Sequence, residues 1–221
     1  MAEINLTNFP SDHEIFLWHL DESILKLEQI FNKECSAENA LYLPKFPKRR
    51  MEVMAELILL NRHGYEGLKH DKYGAPCLLD SSKQISISHC RDYVCVCLSD
   101  YPVGVDIETW GQRAWKVREK FLSKEEIVMT ECEKNEKLAL LLWCAKEAAF
   151  KYFREHDNIL TQIRLFDLKK TQDNPLYATI KAISPQKKEI MITLSEFKEF
   201  AMAITHNTFL NKNKSTHINT L

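Results

Sequence analysis

The stretch NEKLALLLWCAKEAAFKYFR, residues 135–154, reads as one long helix with Asn135 as its N-cap. At 3.6 residues per turn, Trp143, Glu147, Phe150 and Lys151 fall on one side of it, with Lys146 at the margin. Glu147 and Lys151 are four apart, and on an open surface such a pair is worth only about 0.3–0.5 kcal/mol. The local company argues against an open surface. Trp143, Ala148 and Ala149 make the surrounding turns apolar, so the charges lie against the body of the protein. A lysine so placed can neutralise a phosphate or protonate a leaving oxygen, and the neighbouring carboxylate can take a proton or bind a cation.

Outward from that helix, helical and strand patterns alternate. Ser123, with Glu126 at the capping-box position, predicts a shorter helix to about Glu133. After the long helix come candidate strands at Gln162–Leu168, Tyr177–Ala182, Ile190–Leu194 and Phe200–Thr205. Before it, Glu14–Leu20 reads as a strand and Glu22–Phe31 as a helix. Pro44 and Pro47 interrupt the chain, and Arg49–Arg50 open a helix that stops near Gly64. A polar loop through Lys69–Pro76, with a turn at Tyr73–Gly74, leads to strands at Gln84–Ser88, Tyr93–Ser99 and Val103–Glu108. The short connection predicts a hairpin between the last two. The fold class expected is α+β. It comprises two similar lobes, each with helices packed on an antiparallel-type sheet. The expected divisions are residues 1–102, 103–206 and a polar, frayed tail 207–221.

Bulk properties narrow the function. With 221 residues, 45% of them hydrophobic, the chain can bury one generous core or two small ones. Thirty basic and 31 acidic residues leave a net charge of −1, so there is no broad electrostatic footprint for nucleic acid. No stretch approaches the roughly 20 apolar residues of a membrane span, and the start lacks a basic flank before an apolar run, so a cytoplasmic protein is expected. Seven cysteines without a CxxC pair predict reduced, buried thiols. The five glycines form neither a Walker loop nor GxGxxG, so any phosphate must be held by side chains and a metal.

Gly104–Val105–Asp106–Ile107–Glu108 supplies candidates for that. On a strand Asp106 and Glu108 share a face, about 7 Å apart along the chain, while Val105 and Ile107 point to the core. Two such carboxylates can coordinate one hard cation. Gly104 leaves room for a ligand or a neighbouring backbone.

Taken jointly, these motifs resemble the 4′-phosphopantetheinyl transferase superfamily in its long, Sfp-like branch. Gly104–Glu108 and Trp143–Lys151 match two of its motifs, Phe121–Glu126 matches the one between them, and Tyr73–Pro76 and Ile87–Cys90 look like two upstream. The resemblance runs in order over about residues 45–155. It implies a pseudo-dimer with its active site in the cleft between the lobes. The implied activity is transfer of the 4′-phosphopantetheine of coenzyme A to a serine of an apo acyl or peptidyl carrier protein, releasing 3′,5′-ADP. Mg²⁺, with Mn²⁺ as a substitute, would be held on the pyrophosphate by Asp106, Glu108 and Glu126. Glu147 would activate the serine, directly or through a metal-bound water, and Lys151 would stabilise charge on the transferring phosphate and assist the leaving group. Lys146, Ser88 and His89 would bind the coenzyme, and Arg50 with Arg49 would meet its 3′-phosphate. Ala75 stands where the family has a phosphate-contacting lysine, a contact Lys72 or Lys69 would replace, and Cys90 replaces a serine. A monomer is expected, with no nucleic-acid or membrane partner. Two rival readings are a metal-dependent phosphodiesterase or nuclease, and a non-catalytic module that binds a carrier or coenzyme A.

Overall fold

The computed structural model of the protein describes residues 3–5, 13–41, 43–79, 81–154, 160–171 and 176–206; the predicted tail 207–221 lies outside them. The chain forms two compact units, Met1–Asp100 and Tyr101–Leu221. No helix among the described residues is long and apolar enough to cross a membrane. All seven cysteines are thiols, and five of them are buried.

The first unit carries strands β1 (Glu3–Asn5) and β2 (His13–His19), then helices α1 (Ile24–Glu34), α2 (Ala37–Ala40) and α3 (Pro47–Arg62). Strands β3 (Leu68–His70), β4 (Pro76–Leu78), β5 (Gln84–Cys90) and β6 (Tyr93–Ser99) follow. Pro47 occupies the first turn of α3, where its missing N–H costs nothing. Gly64, at φ +78°, ends that helix in a left-handed turn. The main sheet has the order β1-β2-β6-β5, all antiparallel. Its core gathers Trp18, Met54, Ile58, Leu59, Val94, Val96 and Leu98. The stretch expected as a plain polar loop is a small hairpin, β3 paired with β4. Asp71 makes it possible: its Oδ1 accepts the N–H groups of Tyr73 (2.8 Å) and Ala75 (2.9 Å), closing a turn through Gly74.

The second unit runs through β7 (Val105–Thr109), α4 (Arg113–Lys116), α5 (Lys124–Thr130), α6 (Glu136–Phe153), β8 (Arg164–Lys170), β9 (Leu176–Ile183), β10 (Glu189–Glu196) and β11 (Phe200–His206). Its sheet has the order β7-β11-β10-β9-β8. Asn135 Oδ1 accepts the N–H of Leu138 at 3.0 Å and starts α6, the helix of the opening stretch. Helix α6 lies across β7, β10 and β11, and its inner face (Leu138, Leu141, Leu142, Ala145, Ala149) meets Ile192, Leu194, Ala201 and Ala203 in one core. Helix α5 stops at Thr130, short of the predicted Glu133, because Glu131 turns left-handed at φ 53°.

The expected hairpin between Tyr93–Ser99 and Val103–Glu108 does not form. Both edges of β6 are taken, by β2 and β5, so it has no hydrogen-bonding edge left to offer. Strand β7 pairs with β11 instead. That ladder begins at Gly104, whose N–H donates to Thr205 Oγ1 (2.8 Å) and whose carbonyl accepts from Thr205 N (3.0 Å). The two units share a wiring: the strand before the helices pairs antiparallel with the last strand, which pairs with its hairpin predecessor.

Candidate functional site

Strand β7 and helix α6 meet at unusually short range. A Cβ added to Gly104 would stand 1.9 Å from the carbonyl oxygen of Ala148, so no side chain fits there. This close approach sets Asp106 and Glu108 against the helix face that carries Glu147 and Lys151. The Lys151 ammonium donates to Asp106 Oδ1 at 2.8 Å and to the Val105 carbonyl at 2.9 Å. Asp106 is buried, and Glu108 and Glu147 are half-buried.

The electrostatics show how tightly the group is gathered. Burial, and then the charge of Asp106, hold the Glu108 carboxyl above its ordinary value; the Trp143 indole, Lys151 and Arg113 oppose this. Glu147 is likewise raised, first by burial, then by Asp106 and also by Glu108, with Lys151 opposing. Three carboxylates and one ammonium therefore lie within mutual electrostatic reach in a partly desolvated place. Cys144 joins them: burial and the adjacent Asp106 and Glu108 push its thiol well up, and it shares a hydrogen bond with Asp106. In the sequence Cys144 reads only as one of several reduced thiols. Its spacing of three from Glu147 and seven from Lys151 was the available signal. Arg113, on α4, was also missed, and nothing in its local pattern marks it.

Glu126 and Lys146 pair with each other, on contacts of their own. The Lys146 side chain is wholly buried, with its ammonium 2.7 Å from Glu126 Oε1 and donating also to the Ile163 carbonyl. Glu126 Oε1 accepts the N–H of Leu165 at 2.6 Å, and Oε2 accepts that of Ser123 at 2.7 Å in a complete capping box. Burial pulls the proton affinity of Lys146 down, and Glu126 partly restores it. The Lys146 ammonium is enclosed by Glu126 and the Ile163 carbonyl, and the oxygens of Glu126 meet groups of α5, α6 and β8. The reason is angular: adjacent helix residues project about 100° apart, so Lys146 enters the core while Glu147 stays at its border. Among the described residues no three His, Cys, Asp or Glu side chains converge closely enough to hold an ion as they stand. The carboxylate oxygens of Asp106, Glu108 and Glu147, which lie within electrostatic reach of one another, are donors of the kind that suits a hard divalent cation.

In the first unit the expected coenzyme-binding residues separate. Arg49 and His89 come together, with Arg49 Nη1 2.6 Å from His89 Nε2. Arg50 turns to α1, donating from Nε to Glu28 Oε1 at 2.9 Å. Lys72 sits on the β3–β4 turn with its ammonium over the Tyr73 ring. Ser88 is buried in β5.

Residues 102–205 match the family model of the 4′-phosphopantetheinyl transferase superfamily. The match runs from β7 into β11 and contains Asp106, Glu108, Glu147 and Lys151; Arg49 and His89 lie outside it. No curated protein matches the chain.

Proposed function

We propose that this protein is a long, Sfp-like phosphopantetheinyl transferase of the holo-[carrier protein] synthase type, moving the 4′-phosphopantetheine arm of coenzyme A to a carrier-protein serine and releasing 3′,5′-ADP. One observation carries the reading. The acidic pair of β7 and the Glu147/Lys151 pair of α6 gather at one place, within the segment that matches the superfamily model.

Each residue then has a task. Asp106 and Glu108 would hold Mg²⁺, leaving Glu147 to accept the proton of the serine hydroxyl. When bound, the cation supplies positive charge to the pyrophosphate oxygens under attack. Burial and Asp106 raise the proton affinity of Glu147, which suits a general base better than an ordinary surface carboxylate would. Lys151 has three N–H donors, of which Val105 and Asp106 use two among the described residues. With the side chain 28% exposed, the remaining donor is left to neutralise a phosphate oxygen or the leaving group. In this reading the first unit supplies anion-binding residues, with Arg49 and His89 the best-placed pair, and the second supplies proton and metal chemistry. Glu126 and Lys146 have no part in the chemistry. The protein acts as a cytoplasmic monomer.

The test is to mix the protein with Mg²⁺, coenzyme A and an apo-carrier, then weigh the carrier by mass spectrometry. The expected result is one phosphopantetheine added to a serine, lost on chelation and in Asp106→Ala. Coenzyme binding without a mass gain would instead identify a silent binding module. Cleaved oligonucleotide beside an unmodified carrier would identify a nuclease.

A further inference from the structure

The first unit holds a charged side chain that the reaction just described leaves unused. Glu56 lies on α3 with its side chain 1% exposed. Its Oε1 stands 3.0 Å from Arg49 Nη1 and 3.2 Å from His89 Nε2. Its Oε2 is buried and has no hydrogen-bond partner among the described residues. Arg49 also reaches Glu52 Oε2 at 3.2 Å through the same Nη1 nitrogen. Arg49 and His89 are themselves partly exposed, at 38% and 32% of their side chains.

A carboxylate taken out of water costs several kcal/mol unless its lone pairs are fully used, and here one oxygen is unspent. Stability alone gives no reason for a glutamate at this position. The geometry gives another. Spacings of three and four place Arg49, Glu52 and Glu56 along one stripe of α3, and β5 delivers His89 to the same point. A free arginine side chain carries about 2 kcal/mol of rotamer entropy, which an incoming anion would have to overcome. Here Glu56 holds the inner nitrogen of Arg49, and His89 Nε2 lies 2.6 Å from that same nitrogen and 3.2 Å from Glu56 Oε1. The Nε and Nη2 edge of the guanidinium is left without a partner among the described residues. A planar edge held still in this way is suited to bidentate capture of a phosphate.

We infer that Glu56 is a positioning residue, a buried anchor that presents Arg49 and His89 as one preorganised receptor for the 3′-phosphate of the coenzyme. This rests on the transferase reading, in which Arg49 meets that phosphate; His89, implied to bind the coenzyme, is brought to the same point by its contacts with Arg49 and Glu56. Glu56 itself touches no substrate. Its effect belongs to the discrimination between coenzyme A and dephospho-coenzyme A, which lacks the 3′-phosphate, and not to the rate of transfer.

The experiment measures KM and kcat for both coenzymes in the full-length wild type, Arg49→Ala, Glu56→Gln and the double variant, with an apo-carrier as acceptor. In Glu56→Gln the KM for coenzyme A is expected to rise about tenfold, the scale of a weakened hydrogen bond to a charged group. Its kcat, and the KM for dephospho-coenzyme A, stay at wild-type values. In Arg49→Ala most of the preference is lost, and Glu56→Gln added to it has a smaller effect than it has on the wild type, acting through His89 alone. Glu56→Asp, which keeps the charge but withdraws it by one methylene, is the second variant should Glu56→Gln not fold, with the same expected loss. Equal rises in KM for both coenzymes, or an additive double variant, would overturn the role given to Glu56. If Arg49→Ala abolishes the preference while Glu56→Gln leaves it intact, only the role of Glu56 falls. A wild type that transfers but does not prefer coenzyme A overturns the receptor altogether, and a wild type that transfers nothing overturns the transferase reading beneath it.

Discussion

Glu126 in the second unit and Glu56 in the first are both buried beside basic side chains, and the two are treated very differently. Glu126 in the second unit spends both oxygens, on Ser123 N, Leu165 N and the wholly buried Lys146. Glu56 in the first unit shares one oxygen between two partly exposed side chains, Arg49 and His89, and leaves the other without a partner among the described residues. The strand wiring around them is alike, β2-β6-β5 in one unit and β7-β11-β10 in the other. Similar strand wiring thus carries a satisfied internal ion pair in one unit and an unspent carboxylate in the other. A satisfied buried charge ties elements together, whereas an unspent one next to solvent is kept for what its neighbours do.

The harshest way to break this comparison is to remove one partner of the satisfied pair. Lys146→Met leaves Glu126 as an uncompensated buried charge, and about 3–5 kcal/mol of stability should go with it. Urea unfolding followed by fluorescence reads this, since Trp110, Trp115 and Trp143 all lie in the second unit. Adding Glu126→Gln to the variant should recover much of the loss by discharging the orphaned carboxylate. Glu56→Gln, by contrast, removes a charge whose partners can rehydrate, so its stability should change by less than about 1 kcal/mol. Similar losses in the two single variants would dissolve the distinction.

The next largest effect concerns how the second unit brings its charges together. Strand β2, the counterpart of β7 in the shared wiring, contains no glycine and carries no pair of same-face carboxylates. Gly104 is what lets β7 approach the α6 backbone, and Gly104→Ala places a methyl 1.9 Å from the Ala148 oxygen. The strand and helix must part, at a cost of about 1–3 kcal/mol. Because Asp106 sits on one side of that seam and Lys151 on the other, carrier modification should fall more than stability does. A variant that destabilises the protein but transfers normally would show that the close approach serves packing alone.

Much of this was legible beforehand, for reasons that also explain what was not. Asn135, the apolar run after it and the alternating strands are local signals, and α6, β6 and β11 lie where these signals place them. Pairing is not local. The short link between Ser99 and Val105 suggested a hairpin, yet β6 was already flanked on both sides by strands, one of them about eighty residues upstream. Glu126 was readable as a capping-box residue, and it is one. What its sequence position could not tell is that the same carboxylate reaches Lys146 and Leu165. Glu56 gave no sign at all, because a glutamate in an amphipathic helix looks like a surface residue until the opposing His89 is in place.

The gentlest test uses a half-exposed pair of the first unit, as the low end of the scale on which Lys146–Glu126 is the high end. Glu34 and Arg62 join α1 to α3 in a two-pronged contact of 2.7 and 2.9 Å, with side chains 28% and 19% exposed. The hydrogen bond from Arg62 is the main cause holding the Glu34 carboxyl below its ordinary value of 4.5. A carboxyl whose folded value is depressed contributes its stability above the unfolded value and loses it as pH falls through the folded one. Glu34→Gln should therefore cost at most about 1 kcal/mol at pH 7. The gap to wild type should close as the pH is taken from 4.5 downward. Trp18, the buried tryptophan of the first unit, lies under the Arg62 guanidinium and reports that unit's unfolding. A gap that persists in acid would mean the contact works through shape, and the graded scale from exposed to buried pairs would lose its lower anchor.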